Sequence, residues 1–290
     1  MRFYLNASDV AAAAGMNKYV SPKDIMSKLG YIPKIADVYD QIPTEVAKAL
    51  GSKSGSAKQA VLQLITQSGE IVDKKQIINK VVNACKDQRI KEVEKELKDT
   101  IQPNMSSNQE VIRIEKEKEL SLAKKGLNVK GKLIVNPNDL KLEVTSVINK
   151  YSGRRDESSI TSLYEQQYDI LVTNRNEKMY YMCVTIGSHT FKIGGKIDGL
   201  QDGGQKLVEV KRRTNYLFQW IPLREKIQME VYMRMPLLDL NESVLVQYHK
   251  KSNRLTATDY LRNDKLWLKV INGLDKFAST VVTEKLSEEK

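Results

Sequence analysis

Two carboxylates and a lysine within residues 198–211 have the chemistry needed to hydrolyse a phosphodiester. Asp198 is followed by Asp202-Gly203-Gly204, which is typical of a tight turn because Asp and Gly tolerate the positive φ that such turns need. Residues 207–211 then indicate a returning apolar strand, on which Glu209 and Lys211 share one face. The hairpin therefore predicts that Asp198, Glu209 and Lys211 converge.

Carboxylate oxygens are the hard ligands that Mg²⁺ prefers, and a bound Mg²⁺ activates water and neutralises charge on a phosphate while the lysine assists. The alternative is a surface hairpin that carries a cross-strand ion pair. An acidic residue two positions before a lysine occurs five times in this chain, so the triplet alone is weak. Among the five, only Glu209-Val210-Lys211 lies in an apolar strand with another carboxylate one hairpin away.

Composition favours a nucleic acid as the partner. The 290 residues carry a net charge of +11, which favours a polyanion, and 41% are apolar, which suits a folded protein. No apolar run is long enough to span a membrane, so none is expected as a partner. The two cysteines, Cys85 and Cys183, form no CxxC pair and favour a reduced, intracellular protein that is not secreted.

Periodicity divides the chain into two parts. Residues 1–125 are expected to form a helical N-terminal region, within which 31–125 is a candidate insertion, and residues 126–290 to form an α/β core. Ser21-Pro22 predicts a capped helix start, and Gly30 its end. Strands are expected at 127–135, 141–148, 169–173, 179–186, 190–211 (as a hairpin) and 243–249, and core helices at 156–167, 222–235 and 263–280.

Further motifs surround the hairpin. Residues 153–157 (Gly-Arg-Arg-Asp-Glu) resemble the Gly-x-x-x-Glu helix of the lambda-type exonuclease and YqaJ-like viral recombinase family, and Asp198 with 209–211 resembles its catalytic hairpin. Residues 228–232 resemble the Gln-x-x-x-Tyr helix of RecB-like nucleases. Residues 7–11 resemble the family's N-terminal Ser-acidic helix. The proline usually found before the aspartate is replaced by Ile197, which leaves the ligands intact.

The resemblance implies a PD-(D/E)xK restriction-endonuclease-like fold, with a mixed central sheet flanked by helices. It implies two Mg²⁺ or Mn²⁺ ions, held by Asp198, Glu209 and the Val210 carbonyl, with Glu157 at the second ion and Lys211 beside the attacking water. DNA is the implied substrate, and the residues expected to contact or support it are Gln228, Tyr232, Arg212, Arg213, Arg224, Lys226, Ser8 and Arg2. A single-strand annealing protein and a homo-oligomer are the further partners that the family implies.

Three functions fit these features. The first is a metal-dependent exonuclease in recombination, repair or genome processing. The second is an endonuclease for branched DNA with the same core, and the third is a non-catalytic DNA-binding module that keeps the fold. Tyr216, Phe218 and Trp220 lie among basic residues, and are interpreted either as core or rim aromatics or as surfaces for unpaired bases.

Overall fold

A computed structural model describes residues 1–32, 38–68, 73–100, 107–127 and 135–288. The helices are α1 Val10–Ala13, α2 Pro22–Lys28, α3 Thr44–Ala49, α4 Ala57–Gln67, α5 Lys74–Thr100, α6 Ser107–Lys124, α7 Pro137–Tyr168, α8 Leu223–Met233 and α9 Asp264–Glu288. The strands are β1 Arg2–Asn6, β2 Tyr180–Ile186, β3 His189–Gly195, β4 Gly199–Gln201, β5 Lys206–Arg213, β6 Glu242–His249 and β7 Arg254–Leu261. The expected mixed α/β fold is confirmed.

The chain forms two compact units, and the division differs from the boundary expected at residue 125. One unit comprises Met1–Ile35 together with Ser152–Lys290, and the other comprises Ala36–Tyr151. Residues 135–151 therefore belong with the helical unit instead of the α/β core. The reason is packing, because Val135, Leu140 and Val144 are buried in the same apolar cluster as the earlier helices.

Residues 141–148 are helical, which corrects the strand expected there. They lie within α7, where Leu140, Val144 and Ile148 are buried at intervals of four while Leu142 is exposed. Intervals of four place these side chains on one face of a helix. The strand expected at 127–135 lies mostly outside the described residues. The helix expected at 156–167 is confirmed as the C-terminal part of α7.

The α/β unit contains two sheets. The first has the order β1-β3-β2, with β1 parallel and β2 antiparallel to β3, and the second has the order β4-β5-β6-β7, with β5 and β6 parallel. β5 is an inner strand, paired with β4 on one edge and β6 on the other. The strand expected at 169–173 is reduced to one bridge, between Thr173 and Leu200.

Local signals in the sequence correctly placed the turn of the hairpin and the start of α2. Asp202, Gly203 and Gly204 all have positive φ and join β4 to β5, as the hairpin prediction required. Ser21 and Asp24 form a capping box at the start of α2, with Pro22 at the first helical position. No helix in the described part of the chain has both the length and the apolar character needed to cross a membrane.

Candidate active site

Glu209 and Lys211 lie on one face of β5, at the centre of the second sheet. The Glu209 side chain is completely buried, and its Oε1 accepts a hydrogen bond from the Lys211 ammonium. Its second oxygen, Oε2, is also buried and has no hydrogen-bond partner among the described residues. A buried carboxylate oxygen without a donor is costly, and such atoms call for a specific explanation such as a bound ion.

Asp198 lies immediately before β4 and beside this carboxylate. Its Oδ2 accepts a hydrogen bond from the Val210 N–H at 2.7 Å, so the aspartate is fixed next to the backbone that follows Glu209. The N–H and C=O of one residue in a strand point to the same edge. The Val210 carbonyl therefore also points to the edge where Asp198 lies, as expected for a shared cation.

Glu157 on α7 is the third carboxylate of the cluster. The side-chain amide of Asn176 donates a hydrogen bond to Glu157 Oε1. The backbone N–H of Asn176 donates to the Ile197 carbonyl at 3.0 Å, and the Asn176 carbonyl accepts a hydrogen bond from the Lys196 ammonium at 3.2 Å. Asn176 thus joins the Glu157 side chain to the segment that leads into Asp198. In the sequence, Asn176 is marked only by the turn that Asn174-Arg175-Asn176 favours, which does not indicate a role at the site.

Burial dominates the electrostatics of the two central carboxylates. Burial raises the pKa of Asp198 to about 7; Lys211 opposes the rise, whereas the neighbouring Glu157 charge adds to it. Burial also raises the pKa of Glu209 to about 7, against the effect of Lys211 and with that of Asp198. Glu157 is close enough to Asp198, and Asp198 to Glu209, for their charges to interact. Crowded, buried carboxylates of this kind are frequent at functional sites.

Lys211 is held in its charged form. Burial disfavours the ammonium, but the charges of Glu209 and Asp198 outweigh burial, so that the pKa of Lys211 lies above its usual value. The sequence left open whether the pKa of this lysine is raised or lowered. A raised pKa favours a fixed positive charge over a role in accepting a proton.

The residues present fit a magnesium site with few protein ligands. Among the described residues, no group of three or more His, Cys, Asp or Glu side chains forms a ready-made cage for a metal. Mg²⁺ does not need one, because it usually keeps several waters and takes one or two carboxylates. Glu209 Oε2, the Asp198 carboxylate and the Val210 carbonyl supply a donor set of that kind.

Gln228 and Tyr232 lie on α8 and support the site from one side. The Tyr232 ring is buried, and burial raises the pKa of its hydroxyl, with Glu209 adding to the effect and a hydrogen bond to Gln228 opposing it. A Cβ on Gly195 would lie 2.6 Å from the Tyr232 hydroxyl oxygen, so the absence of a side chain there lets the tyrosine approach β3. Direct contact of Tyr232 with DNA is not favoured by its burial.

Arg213 is a structural residue, which corrects its predicted role in DNA binding. Its side chain is buried, and its two terminal nitrogens donate to the Glu225 carboxylate at 2.8 and 2.6 Å. Its Nε donates to Gln247 Oε1 at 2.8 Å. All three guanidinium nitrogens are therefore engaged within the protein, because Arg213 shares the inward face of β5 with Glu209 and Lys211.

The other predicted DNA contacts are less deeply buried. Arg212 points to the opposite face of β5 from Lys211, where its Nε lies 2.8 Å from Asp156 Oδ2. Arg224 is partly exposed beside the Tyr19 ring, and Lys226 is half-buried near Tyr260. Arg2 on β1 and Ser8, in the short 3-10 helix after it, are both exposed.

Neither protein-family profiles nor curated proteins gave a match to this chain. Among solved structures, SSO0001 aligns with 48% of this chain and 64% of its own, less than two thirds, at 12% identity and a TM-score of 0.36. The alkaline exonuclease LHK-Exo from Laribacter hongkongensis aligns with 67% of this chain and 89% of its own, at 14% identity and a TM-score of 0.37. A phage related exonuclease from Haemophilus somnus 129PT aligns with 47% and 73%, at 12% identity and a TM-score of 0.34.

Structural neighbours of this chain are thus an alkaline exonuclease and a phage related exonuclease, the class of protein that its motifs resemble. At these identities and TM-scores the neighbours carry no argument about the activity of this chain. What supports an activity is the arrangement of the side chains themselves.

Proposed function

We propose that this protein is a metal-dependent deoxyribonuclease that hydrolyses DNA phosphodiesters. The observation that carries the proposal is Glu209, a fully buried carboxylate with an oxygen that no described donor satisfies. Asp198 and the Lys211 ammonium lie beside it. The two carboxylates can hold a metal ion beside a phosphate, and the Lys211 ammonium supplies a second, fixed positive charge.

The proposed ligands of Mg²⁺ or Mn²⁺ are Asp198, Glu209 and the Val210 carbonyl, with Glu157 placed to hold a second ion directly or through water. When bound, the metal supplies an activated water and neutralises charge on the phosphate. Burial is the main cause of the raised pKa values of Asp198 and Glu209, so a bound cation would favour the charged forms of both carboxylates.

Residues of the chain itself would position the reactants. Lys211, held as a cation, offsets negative charge that develops on the phosphate, which is more effective in a site shielded from water. Asn176 fixes Glu157 relative to Asp198 through its contacts with both segments. Tyr232 closes the side of the site that faces Gly195.

Within this class we propose an exonuclease that acts inside the cell, in recombination, repair or genome processing. The motif order in the sequence supports that choice, and the net charge of +11 supports DNA as the substrate. Partnership with an annealing protein and assembly with further copies of the chain belong to the same proposal. An endonuclease on branched DNA would use the same carboxylates.

The activity is tested with end-labelled linear duplex and covalently closed circular duplex, each in Mg²⁺ and in EDTA. We expect cleavage of the linear DNA in Mg²⁺ only, and none of the circle. Degradation of the circle would replace the exonuclease with an endonuclease. Asp198→Ala should reduce cleavage by about 100-fold or more, since it removes a metal ligand.

Metal binding is tested separately, by thermal unfolding with increasing Mg²⁺. A ligand that binds only the folded state at 100 times its Kd adds about 2.7 kcal/mol to stability, so Mg²⁺ should raise the Tm of the wild type. Asp198→Ala should lose the shift, whereas Asp202→Asn, which changes a carboxylate at the turn of the same hairpin, should keep it. Equal shifts in all three proteins would exclude the proposed metal site.

A further inference from the structure

A second candidate site lies in the α/β unit, between the loop after α1 and the segment that connects β5 to α8. It is a cavity of about 320 Å³, near the lower end of the roughly 300–1,000 Å³ usual for ligand pockets. Aromatic and basic side chains dominate its lining: Lys18, Tyr19, Tyr216, Phe218, Trp220 and Arg224. None of these residues belongs to the carboxylate cluster.

The aromatic side chains of this cavity are unusually exposed for their size. Tyr19, Tyr216 and Trp220 are 66%, 61% and 65% exposed, so Tyr216 and Trp220 are not core residues. Only Phe218 is partly covered; its ring meets Tyr216 edge to face, with centroids 5.0 Å apart. Exposed, adjacent aromatic rings provide flat apolar surfaces on which planar groups can stack.

The charges around the cavity are positive. The Lys18 ammonium lies 4.9 Å, and the Arg224 guanidinium 5.3 Å, from the centroid of the Tyr19 ring. None of the ten lining residues is acidic. The nearest carboxylate to Arg224 is that of Glu225, which is buried and already bonded through both oxygens to Arg213. The cavity therefore suits a ligand with planar rings and negative charge.

The cavity is fixed to the sheet that carries the candidate active site, through contacts with β6 and β5. The Phe218 N–H donates to Gln247 Oε1 at 3.3 Å, and the Gln247 amide donates to the Phe218 carbonyl at 3.0 Å. The Phe218 ring lies 4.7 Å from the Arg213 guanidinium, on the face of β5 that also carries Glu209. Arg213 is four positions after Glu209 along the strand, a distance of roughly 13 Å. That distance corresponds to a few nucleotides of a single strand.

We propose that this aromatic and basic cavity binds unpaired bases of a single DNA strand that reaches or leaves the active site. The proposal rests on the proposed nuclease function and adds to it a site for one strand of the substrate. Base stacking tolerates any sequence, because every base has a flat face, while Lys18 and Arg224 hold the phosphates. The same rings could instead accept a proline-rich peptide, which the experiment distinguishes.

Binding is measured in EDTA, so that no hydrolysis is needed, from the fluorescence of Trp220 in a Trp267→Phe background. The chain has two tryptophans, and this background leaves Trp220 as the reporter. We expect a thymidine octanucleotide to quench the emission, and an abasic octamer with the same backbone to bind at least about tenfold more weakly. Equal affinity for both octamers would overturn base stacking.

Substitutions then identify the rings, with affinity measured by anisotropy of a labelled octamer. Trp220→Ala and Tyr216→Ala should each weaken binding about tenfold or more, since each removes a ring on which a base stacks, and Trp220→Phe should weaken it less, since it keeps a ring. Tyr181→Ala, which removes an exposed tyrosine of β2 outside the cavity, is the control. Unchanged affinity in Trp220→Ala and Tyr216→Ala would exclude the site, as would preferential binding of a polyproline decapeptide.

Failure of this inference differs from failure of the nuclease proposal. If octamer binding depends on Trp220 but Mg²⁺ supports no cleavage, the base-binding site is supported and the nuclease activity is rejected. If cleavage requires Asp198 but octamer affinity is the same in Trp220→Ala and Tyr216→Ala as in the wild type, the nuclease activity is supported and the base-binding site is rejected.

Discussion

Individual residues of this protein show how burial changes the role that the sequence suggests. Arg212 and Arg213 are adjacent and equally basic, but they point to opposite faces of β5. Arg213 enters a buried network with Glu225 and Gln247, whereas Arg212 pairs with Asp156. A basic sequence motif cannot separate the two, because the partners come from distant parts of the chain.

Removing the Arg213 charge should destabilise the fold. Arg213→Met removes both close hydrogen bonds to the buried Glu225 carboxylate and leaves it only the 3.5 Å contact with Arg224, so the free energy of unfolding should fall by about 3 kcal/mol. Lys226→Met, the control, should change the free energy of unfolding by less than about 0.5 kcal/mol. Urea unfolding checks both values. The double variant Arg213→Met/Glu225→Met should recover part of the loss, and a double variant as unstable as the single one would contradict the pairing.

The carboxylates of the site should make the metal-free protein more stable in mild acid. Their pKa values are raised to about 7 from ordinary values of 3.8 and 4.5, so the folded state binds protons more tightly between about pH 4 and pH 7. Stability due to these groups is complete below that window and is lost as the pH rises through it. The contribution of Lys211 is complete below its ordinary pKa of 10.5, so it does not change within this window.

Urea unfolding in EDTA at pH 5 and pH 8 measures this difference. Asp198→Asn should reduce the difference in the free energy of unfolding between pH 5 and pH 8 by at least about 1.4 kcal/mol, the equivalent of one pKa unit. Asp202→Asn serves as the control, since its carboxylate lies at the turn of the same hairpin. An unchanged difference in Asp198→Asn would show that burial does not govern the site.

Elements with strong local signals could be predicted from the sequence, and elements that depend on distant partners could not. The hairpin from β4 to β5 and the start of α2 were predicted because Asp-Gly-Gly and Ser-Pro fix the backbone locally. β1 was missed, because its alternating Phe3 and Leu5 become meaningful only through parallel pairing with β3, almost 190 residues away. Parallel pairing leaves little trace in a short segment.

The error at residues 141–148 has a similar cause. Leu140, Leu142 and Val144 alternate with charged residues, which is typical of a strand, but they belong to a helix of 32 residues. Packing of Leu140, Val144 and Ile148 in the helical unit decides the structure, and Leu142 remains exposed. The structure brings Asp198, Glu209 and Lys211 together as the hairpin predicted, whereas the position of Asn176 required the folded chain.

Two glycines at the elements of the site should respond in opposite ways to a methyl group. Gly195→Ala forces the buried Tyr232 hydroxyl away, and a displacement of about 1 Å can cost roughly 100-fold in rate, so DNA cleavage should fall by that order. Gly153→Ala, in α7, meets no atom within 4 Å and should add about 0.5–1 kcal/mol to stability.

Cleavage rates and urea midpoints of both variants provide the check. Normal cleavage by Gly195→Ala would show that Tyr232 has no positioning role. Loss of cleavage by a stable Gly153→Ala protein would show that the Gly-x-x-x-Glu helix requires its glycine for contact with DNA.

At the scale of the whole molecule, the two compact units have separate apolar clusters. The cluster of the helical unit includes Val46, Val61, Val81 and Leu140, all within Ala36–Tyr151. The cluster around Phe3, Phe191 and Ile227 lies entirely in the α/β unit. A domain with its own core can in principle fold alone.

The helical unit should therefore fold when residues 36–151 are produced as a separate fragment. Circular dichroism should show helix and a cooperative thermal transition, because the buried cluster stays complete. Unfolding without cooperativity would mean that the fragment depends on the α/β unit. The fragment should also lack Mg²⁺-dependent cleavage, since all four proposed catalytic residues lie outside it.

The chain leaves the first sheet at Gly195 and enters the second at Gly199, and Asp198 lies within that short crossover. One residue added or removed there would turn the aspartate to the wrong side of its strand, because side chains alternate. The turn at the far end of the hairpin should tolerate a change of length, since nothing lies within 4 Å of where a side chain at Gly203 or Gly204 would begin. Natural variants of this protein should therefore vary in length at the turn and keep the crossover at constant length.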